Sequence, residues 1–281
     1  MPINTEIAGI SIGDSHHVRI MGIINLSPES FYAESVFIRK EEILRKAREM
    51  IAQGCDFLDI GGRSTAPGVM PISVETEKER VLPVLKALLS EVSIPISIDT
   101  QYAKVAEKAL QLGCQIINDV SGLTTDPSLV KILKEYDSSL IIMATEKIPG
   151  DRLTIREISI ALSNSISFAI THGIDSKKII IDPGIGKWVN TKLYSYNLTI
   201  INQLYELRKL QKPILTGISR KSFIGDILQK PNPADRLVGS LAATAIAVYN
   251  GAHVIRTHDV EYTYDIVRIS EALRDAANKS E

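Results

Sequence analysis

Residues 53–62 read QGCDFLDIGG, and two later segments repeat the pattern: LGCQIINDVSG at 112–122 and NGAHVIRTHD at 250–259. Each segment has a glycine, a small residue, a polar residue, two apolar residues and a second polar residue. This order predicts a helix that ends at the glycine, a short turn and a buried strand. Cys55 and Cys114 occupy the small-residue position, which favours a packing role for both thiols.

The rest of the chain continues this alternation of strands and helices. Further apolar runs without alternation, typical of parallel strands buried on both faces, lie at 19–25, 94–100, 139–145, 178–184 and 212–221. Amphipathic stretches typical of helices lie at 39–53, 73–90, 101–112, 126–136, 153–172, 192–209, 234–249 and 260–277. In the fourth of these, Asp126 is expected to be the N-cap and Pro127 the first helical residue.

Together these patterns give eight strand–helix pairs without a clear linker. They predict an α/β fold, a single TIM (β/α)8 barrel domain over residues 1–281, with residues 3–18 as an N-terminal hairpin that caps the barrel. An open, doubly wound sheet is the alternative architecture.

Composition sets the class of protein. The chain has 281 residues, of which 44% are hydrophobic and 23% charged, with a net charge of −1. This charge balance gives no reason to expect nucleic acid or a membrane surface as a partner. The two cysteines give no disulfide framework, and no apolar run approaches the roughly 18 residues that span a membrane. We therefore expect a soluble cytoplasmic protein.

Polar residues stand where the predicted strands end, and in a TIM barrel these ends meet at one rim that carries the active site. They are Asn25, Asp59, Asp99, Asn118, Asp182, Lys221, Arg256 and His258. Carboxylates and carboxamides suit a heterocycle with N–H donors, and the cations suit a phosphate or a delocalised ring. The set predicts a small-molecule ligand with a polar heterocyclic end and an anionic end.

Local explanations compete with this interpretation for single residues. Asp99 is equally suited to cap the next helix, and Asn25 and Asp182 are equally suited to turns. The segment GISRKSFIG at 217–225 combines a permissive Gly217 with the adjacent cations Arg220 and Lys221. Because adjacent side chains point in different directions, one is expected to face the pocket and the other a partner or phosphate. A solvated basic loop is the alternative.

Seven segments now form a recognisable series in chain order: MGIINLSPESF, DIGGRSTAPG, SIDT, INDVSG, DPGIG, GISRKSFIG and RTHDV. Their order and spacing resemble the dihydropteroate synthase family of pterin-binding TIM barrels over nearly the whole chain. The resemblance implies a transferase that condenses a 7,8-dihydropterin-6-methyl pyrophosphate with p-aminobenzoate or a related arylamine, releasing pyrophosphate, in folate biosynthesis. It also implies Mg2+ as cofactor and a homodimer through outer helices.

Residue roles follow from the same resemblance. Asp99, Asn118 and Asp182 would grip the polar edge of the pterin, with Lys221 along its ring. Pyrophosphate would be held by Asn25, Arg256 and His258, and Asn25 would also meet Mg2+. Thr65 would contact substrate from the second loop. Asp99 and Lys221 are the candidate catalytic residues.

The sequence departs from the family pattern around the second substrate. The family usually reads GGESTRPG where residues 61–68 are GGRSTAPG, so Arg63 replaces a glutamate and Ala66 an arginine. A histidine usual after the fifth strand is missing from MATEK at 143–147. The sixth loop is longer and carries Lys187 and Trp188 where an aromatic is usual. These changes favour an altered acceptor, such as the ribosylated arylamine of some archaeal pterin cofactors.

Two other functions stay open on the sequence alone. One is a pterin-binding barrel that transfers a methyl group from methyltetrahydrofolate to a corrinoid protein, which does not need GISRKSFIG or RTHDV. The other is a non-catalytic pterin-binding module, which the missing histidine and loop arginine leave open.

Overall fold

The computed structural model describes residues 2–26, 36–63, 70 and 72–278 of the chain. The strands are β1 (Asn4–Ile7), β2 (Ile10–Gly13), β3 (Arg19–Asn25), β4 (Phe57–Gly61), β5 (Ile96–Asp99), β6 (Ile116–Asp119), β7 (Ser139–Met143), β8 (Ile179–Asp182), β9 (Leu215–Thr216) and β10 (Val254–Thr257). The α-helices are α1 (Val36–Ala52), α2 (Val74–Leu89), α3 (Ala103–Leu112), α4 (Leu129–Glu135), α5 (Ile155–Thr171), α6 (Tyr194–Asn202), α7 (Ser222–Leu228), α8 (Leu237–Tyr249) and α9 (Val260–Asn278).

The main sheet is a closed barrel. Its eight strands pair in the order β8-β7-β6-β5-β4-β3-β10-β9, all parallel. The first and last strands of this order, β8 and β9, meet at a parallel bridge between Ile181 of β8 and Ile214, the residue before β9. The Ile181 N–H donates to the Pro213 carbonyl there at 2.9 Å. Helices follow the strands along the chain and surround them, so the predicted TIM barrel is confirmed.

The glycines of the repeated segments end helices as the pattern predicts. Gly54, Gly113 and Gly251 have φ of +95°, +112° and +101°, the left-handed region that glycine enters without steric penalty. Cys55 and Cys114, which follow Gly54 and Gly113, are buried, and burial raises the pKa of both thiols to about 12. Protonated thiols in apolar surroundings are inert, which supports their packing role.

A two-stranded hairpin fills the amino end of the barrel. β1 pairs antiparallel with β2, and the fully buried Ile7 and Ile12 pack with Met21, Phe57 and Val254 from the starts of the barrel strands. This apolar plug closes one end of the barrel interior. The polar end of the barrel is therefore the opposite one, at the carboxyl ends of the strands.

Asp14, just after the hairpin, ties it to the barrel. Its carboxylate accepts two hydrogen bonds of 2.8 Å from Arg208 and one of 2.7 Å from the Ile3 N–H. His253 Nε2 lies 3.2 Å from Asp14 Oδ1, and the Ile214 N–H donates to His253 Nδ1 at 3.1 Å. Since Nδ1 accepts a bond, the imidazole proton is on Nε2 and faces Asp14.

The predicted role of Asp126 is wrong. α4 begins at Leu129 with Ser128 as its N-cap; Asp126 Oδ1 accepts the Ser128 N–H at 3.2 Å just before this helix, and Oδ2 accepts the Ala103 N–H at 2.9 Å at the start of α3. The first N–H groups of a helix have no partner within the helix, so an acceptor from the neighbouring loop stabilises α3. Asp126 thus caps α3, the helix that precedes it in the chain.

The stretch 192–209 forms two helices where one was predicted. α6 ends at Asn202, and a 3₁₀ helix then runs over Leu204–Leu210. Leu204, Leu207 and Leu210 are three residues apart and therefore share a face of a 3₁₀ helix, which has three residues per turn. Leu204 and Leu207 are fully buried, so the 3₁₀ helix buries the face that this spacing creates.

In the part of the chain that the structure describes, no helix has the length and apolar content needed to cross a membrane.

Candidate functional site

The predicted site residues meet at the carboxyl ends of the barrel strands. Asn25, Asp99 and Asp182 are the last residues of β3, β5 and β8. Parallel register places Asp99 beside Gly61 on one side and Asn118 on the other. Thr65, together with Ala66, lies outside the described residues.

A cluster of charged and amide groups occupies the centre of this rim. Arg256 Nε donates to Asp59 Oδ2 at 2.6 Å, and Asn118 Nδ2 donates to the same oxygen at 3.2 Å. Arg256 Nη2 donates to Asp99 Oδ2 at 3.3 Å. Asp99 therefore bonds across the barrel mouth and does not cap α3, whose first N–H is taken by Asp126.

Asp59 is the residue that sequence reasoning undervalued. It is fully buried and accepts hydrogen bonds from both Arg256 and Asn118. A signal for it was present, because Asp59, Asn118 and Arg256 hold the same position in the three repeated segments. Equivalent positions on parallel strands point alike, which brings the three side chains together.

Burial and neighbouring charges set the protonation of this cluster. Burial, with the Asp59 carboxylate beside it, raises the pKa of Asp99 to about 7 against the opposing effect of Arg256. Burial opposes the charge on Arg256, but Asp59 and Asp99 outweigh it and raise the pKa of the guanidinium. Within the described residues, Asp59 Oδ1 and Asp99 Oδ1 are buried without a hydrogen-bond partner. These two oxygens can accept donors from a ligand.

Lys221 enters the rim between two glycines, Gly186 and Gly217. A Cβ on Gly186 would lie 3.0 Å from Lys221 Cδ, and one on Gly217 would lie 3.7 Å from its Nζ. Nζ donates to the Ile185 carbonyl. Burial lowers the pKa of Lys221 to about 8, and burial raises the pKa of nearby Asp182, with each charge partly stabilising the other.

The long sixth loop packs against the loop before it. Trp188 rests on Gly150, where a Cβ would lie only 2.2 Å from Trp188 Cγ, and its ring centre is 5.3 Å from Lys221 Nζ. Lys192, which the sequence analysis missed, is buried and donates to the Gly184 carbonyl at 2.7 Å. Burial, together with Lys221, lowers the Lys192 pKa to about 8. Lys187, by contrast, is exposed.

His258 and Asn25 form the other side of the rim. Asn25 Nδ2 lies 3.3 Å from His258 Nε2, and Ser219 Oγ lies 3.0 Å from His258 Nδ1. With the amide donating to Nε2, the ring proton is on Nδ1 and donates to Ser219. Burial, with Arg256 nearby, lowers the pKa of His258 to about 4.

Arg220 and Lys221 diverge, as adjacent residues were expected to do. Lys221 faces the rim, whereas Arg220 turns outward and donates to Asp259 through Nε at 2.9 Å and Nη2 at 2.6 Å. The partner of the outward cation is therefore a carboxylate of this chain.

Arg63 lies between the second and third loops of the rim. Its guanidinium is 5.5 Å from the centre of the Tyr102 ring. Glu77, in the first turn of α2, is fully buried; burial raises its pKa, and Arg63 and Arg80 oppose the rise. Arg63 also opposes the rise in the pKa of Asp99. Its charge thus acts on buried carboxylates of the rim.

Comparison with known proteins gives a consistent result. The family described as pterin binding enzyme matches residues 21–258. The chain is 38% identical over 261 residues to a dihydropteroate synthase of Synechocystis sp., covering 90% of this chain and 89% of the relative. It is 34% identical to that of Bacillus subtilis, covering 90% of this chain and 88% of the relative.

Solved structures agree with the sequence relatives. The dihydropteroate synthase of Xanthomonas albilineans with 4-aminobenzoic acid superposes with a TM-score of 0.87 at 32% identity, covering 98% of this chain and 99% of the other. The dihydropteroate synthase of Coxiella burnetii in complex with pteroic acid superposes with a TM-score of 0.84 at 34% identity, with the same coverage.

Proposed function

The chain belongs to the dihydropteroate synthases of the pterin binding enzyme family, and on this basis we propose how its residues carry out the reaction. It is a transferase of folate biosynthesis that joins a dihydropterin-6-methyl pyrophosphate to an arylamine and releases pyrophosphate. The observation that carries the residue roles is the cluster of Arg256, Asp59, Asn118 and Asp99 at one rim.

The pterin binds between the carboxylates and Lys221. Asp99, Asn118 and Asp182 receive and donate the hydrogen bonds of its polar edge, which contains both donors and acceptors. Lys221 lies along the ring, and Gly217, which has no Cβ, allows the ring to approach the backbone there. Thr65 contacts substrate from the second loop, as the family pattern implies.

Pyrophosphate binds on the side of Asn25, Arg256 and His258. Arg256 is the permanent cation of this side, and Asp59 fixes its orientation through the 2.6 Å bond to Nε. Ser219 orients the imidazole of His258 at 3.0 Å. A guanidinium and oriented donors at the leaving group stabilise the charge that develops there.

The reaction proceeds by dissociation. The C–O bond to pyrophosphate breaks, its electron pair leaves with pyrophosphate, and a pterin methylene cation remains. The buried carboxylate of Asp99 stabilises this cation, and Arg256 stabilises the leaving group. The arylamine nitrogen then donates its lone pair to the methylene carbon and releases a proton.

Mg2+ is the cofactor we propose, and Asn25 would hold it. No cluster of three or more histidine, cysteine or acidic side chains that suits a metal occurs among the described residues. That fits Mg2+, which usually takes one or two protein oxygens together with substrate phosphates. Asn25 is exposed at the rim, and because its Nδ2 faces His258 Nε2 at 3.3 Å, its Oδ1 is the atom that can face a metal. Bound Mg2+ would neutralise charge on the pyrophosphate.

The acceptor we propose is p-aminobenzoate. The Xanthomonas albilineans relative is similar over 98% of this chain and was solved with 4-aminobenzoic acid. Trp188, beside Lys221, offers the aromatic wall that an arylamine ring needs. A ribosylated arylamine is the alternative acceptor, suggested by the changed second, fifth and sixth loops.

We also propose a cytoplasmic homodimer. Large apolar side chains are exposed on the outer helices α8 and α9, among them Val238, Ile246, Ile269 and Leu273. Exposed apolar groups on neighbouring helices are typical of a protein interface. A second copy of the chain would cover them.

One set of assays tests the function and its residues. Purified protein with dihydropterin-6-methyl pyrophosphate and Mg2+ should release pyrophosphate on addition of p-aminobenzoate. Trp188 is the chain's single tryptophan and lies 5.3 Å from Lys221 Nζ, so its fluorescence should report pterin binding. Release only with the ribosylated arylamine would identify that acceptor instead.

Variants then test the assignments. Asp99→Asn should lower kcat by roughly 100-fold or more, as expected for a group that stabilises transition-state charge. Lys221→Ala should weaken pterin binding by about 10-fold or more, the loss of a charge-assisted contact. Lys209→Ala, exposed at the other end of the barrel, is the matched control. Wild-type rates in both site variants would refute the assigned roles.

A further inference from the structure

Two turns of the rim carry the residues that hold opposite ends of the substrate. The turn after β9 ends in Lys221, proposed to lie along the pterin, and the turn after β10 contains His258, proposed to meet pyrophosphate. Arg220 immediately precedes Lys221, and Asp259 immediately follows His258. The side chains of Arg220 and Asp259 bond to each other.

The two side chains form a bidentate salt bridge, called the fork below. Arg220 Nε donates to Asp259 Oδ2 at 2.9 Å and Nη2 donates to Oδ1 at 2.6 Å. The third nitrogen, Nη1, donates to the Ala234 carbonyl at 3.1 Å. The Arg220 side chain is 27% exposed and that of Asp259 is 12% exposed. A forked pair fixes both distance and orientation, which a single contact does not.

The backbone of Arg220 is held in an unfavourable conformation. Its φ is +57°, in the left-handed region that is unfavourable for a non-glycine residue. The Arg220 N–H donates to Ser240 Oγ at 2.8 Å, and its carbonyl accepts from Arg236 Nη1 at 3.0 Å. This conformation directs Arg220 outward to Asp259 and the next residue inward to the rim. Strain that is held in place by several bonds points to a function.

We propose that Arg220 and Asp259 are positioning residues that join the two turns and so fix Lys221 relative to His258. The proposal rests on the proposed function, because the two turns then bind the two ends of one molecule. Neither half of the substrate alone needs the distance between the turns to be fixed. The intact substrate does, and a misplacement of 1 Å can lower the rate by about 100-fold.

Arg220→Gly is the decisive variant. Glycine adopts positive φ without penalty, so the turn keeps its shape while the fork is lost. We expect kcat/KM for dihydropterin-6-methyl pyrophosphate to fall by about 10- to 100-fold. Binding of 6-methylpterin alone, and of inorganic pyrophosphate with Mg2+ alone, should change by less than about threefold in isothermal titration calorimetry, because each touches one turn.

Asp259→Asn keeps the shape of the partner and removes its charge, and it should reproduce the same selective loss. Combining it with Arg220→Gly should add little to either change, as expected for two residues of one pair. Arg208→Lys is the matched control, because Arg208 forms an equally good fork with Asp14 at the opposite end of the barrel. It should lower the melting temperature and leave kcat/KM unchanged.

The outcomes separate the two proposals. Wild-type kcat/KM in Arg220→Gly and Asp259→Asn would overturn the positioning role, as would equal weakening of the separate halves. A wild-type protein that releases no pyrophosphate would refute the proposed function instead. In that case calorimetry on the two halves and the intact substrate would still decide the positioning role.

Discussion

Lys221 is the residue whose environment most directly predicts a dependence on pH. Burial lowers its pKa to about 8, whereas nearby Asp182 favours the charged form. The ammonium is therefore present below pH 8 and is lost as the pH rises through that value. Because the charge is proposed to hold the pterin, kcat/KM for the pterin substrate should fall tenfold per pH unit above about 8.

The matched variant is Lys221→Arg, since a guanidinium keeps its charge over this range. Its kcat/KM will be lower than that of the wild type, but the descending alkaline limb should be absent up to pH 9.5. A limb that persists unchanged in Lys221→Arg would assign it to another group. Steady-state rates in buffers of constant ionic strength provide the measurement.

At the scale of single residues, the sequence predicted which residue types gather at the rim but not which side chains bond to each other. Asn25, Asp99, Asn118, Asp182, Lys221, Arg256 and His258 all lie there. That Asp59 is the shared acceptor of Arg256 and Asn118 depends on distances across the barrel, which no local pattern contains. Lys192 escaped notice because lysines are rarely buried, and its burial depends on how the sixth loop folds back.

Among the elements, the amino-terminal hairpin offers a prediction about stability. Burial tends to raise the pKa of Asp14, but hydrogen bonds from His253, Arg208 and Ile3 outweigh it and hold the pKa well below its usual value of 3.8. A carboxyl with a depressed pKa in the folded state stabilises that state above its ordinary pKa. The stabilisation is lost as the pH falls below about 4.

Asp14→Asn should therefore lower the free energy of unfolding at pH 7 by about 2 kcal/mol, a figure reduced for its partial exposure. The difference between variant and wild type should shrink at pH 3. Urea denaturation at the two pH values measures it. Asp137→Asn, on a carboxylate that is 83% exposed, is the control and should change stability by less than about 0.5 kcal/mol. An Asp14→Asn effect independent of pH would contradict the charge-based explanation.

Element boundaries were predictable where one residue type decides them. The positive φ of Gly54 and Gly113 follows from glycine's freedom and was readable from sequence. The role of Asp126 was not, because it caps a helix that precedes it and is adjacent only in the folded barrel. The 3₁₀ helix at Leu204–Leu210 was hidden because leucines three apart suit both helix types.

At the scale of the whole molecule, the proposed homodimer gives a further test. Ile269 on α9 is 64% exposed and lies among other exposed apolar side chains of α8 and α9. Ile269→Glu should convert a dimer into a monomer in size-exclusion chromatography with light scattering, because an interface does not tolerate a buried unpaired charge. Ile160→Glu, on α5 at 53% exposure, should leave the dimer intact. A wild-type monomer would refute the proposal.

The barrel itself was predictable because eight similar units leave few other arrangements. Closure was less certain, since an open doubly wound sheet uses the same units. The distinction depends on whether the first and last strands of the order meet, and here that contact is one bridge between Ile181 and Ile214. Nothing local in either segment specifies it.

The bridge between Ile181 and Ile214 affects how the barrel fluctuates. β9 has two residues, so the junction of β8 and β9 holds fewer interstrand hydrogen bonds than the other junctions and should open locally at the lowest free energy. Asp182 ends β8 on one side, and Gly217 and Lys221 follow β9 on the other. A pterin bound between them, as proposed, would act as a noncovalent cross-link over the weakest junction. Substrate binding would then suppress local opening of the barrel, and part of the binding free energy would go into keeping it closed.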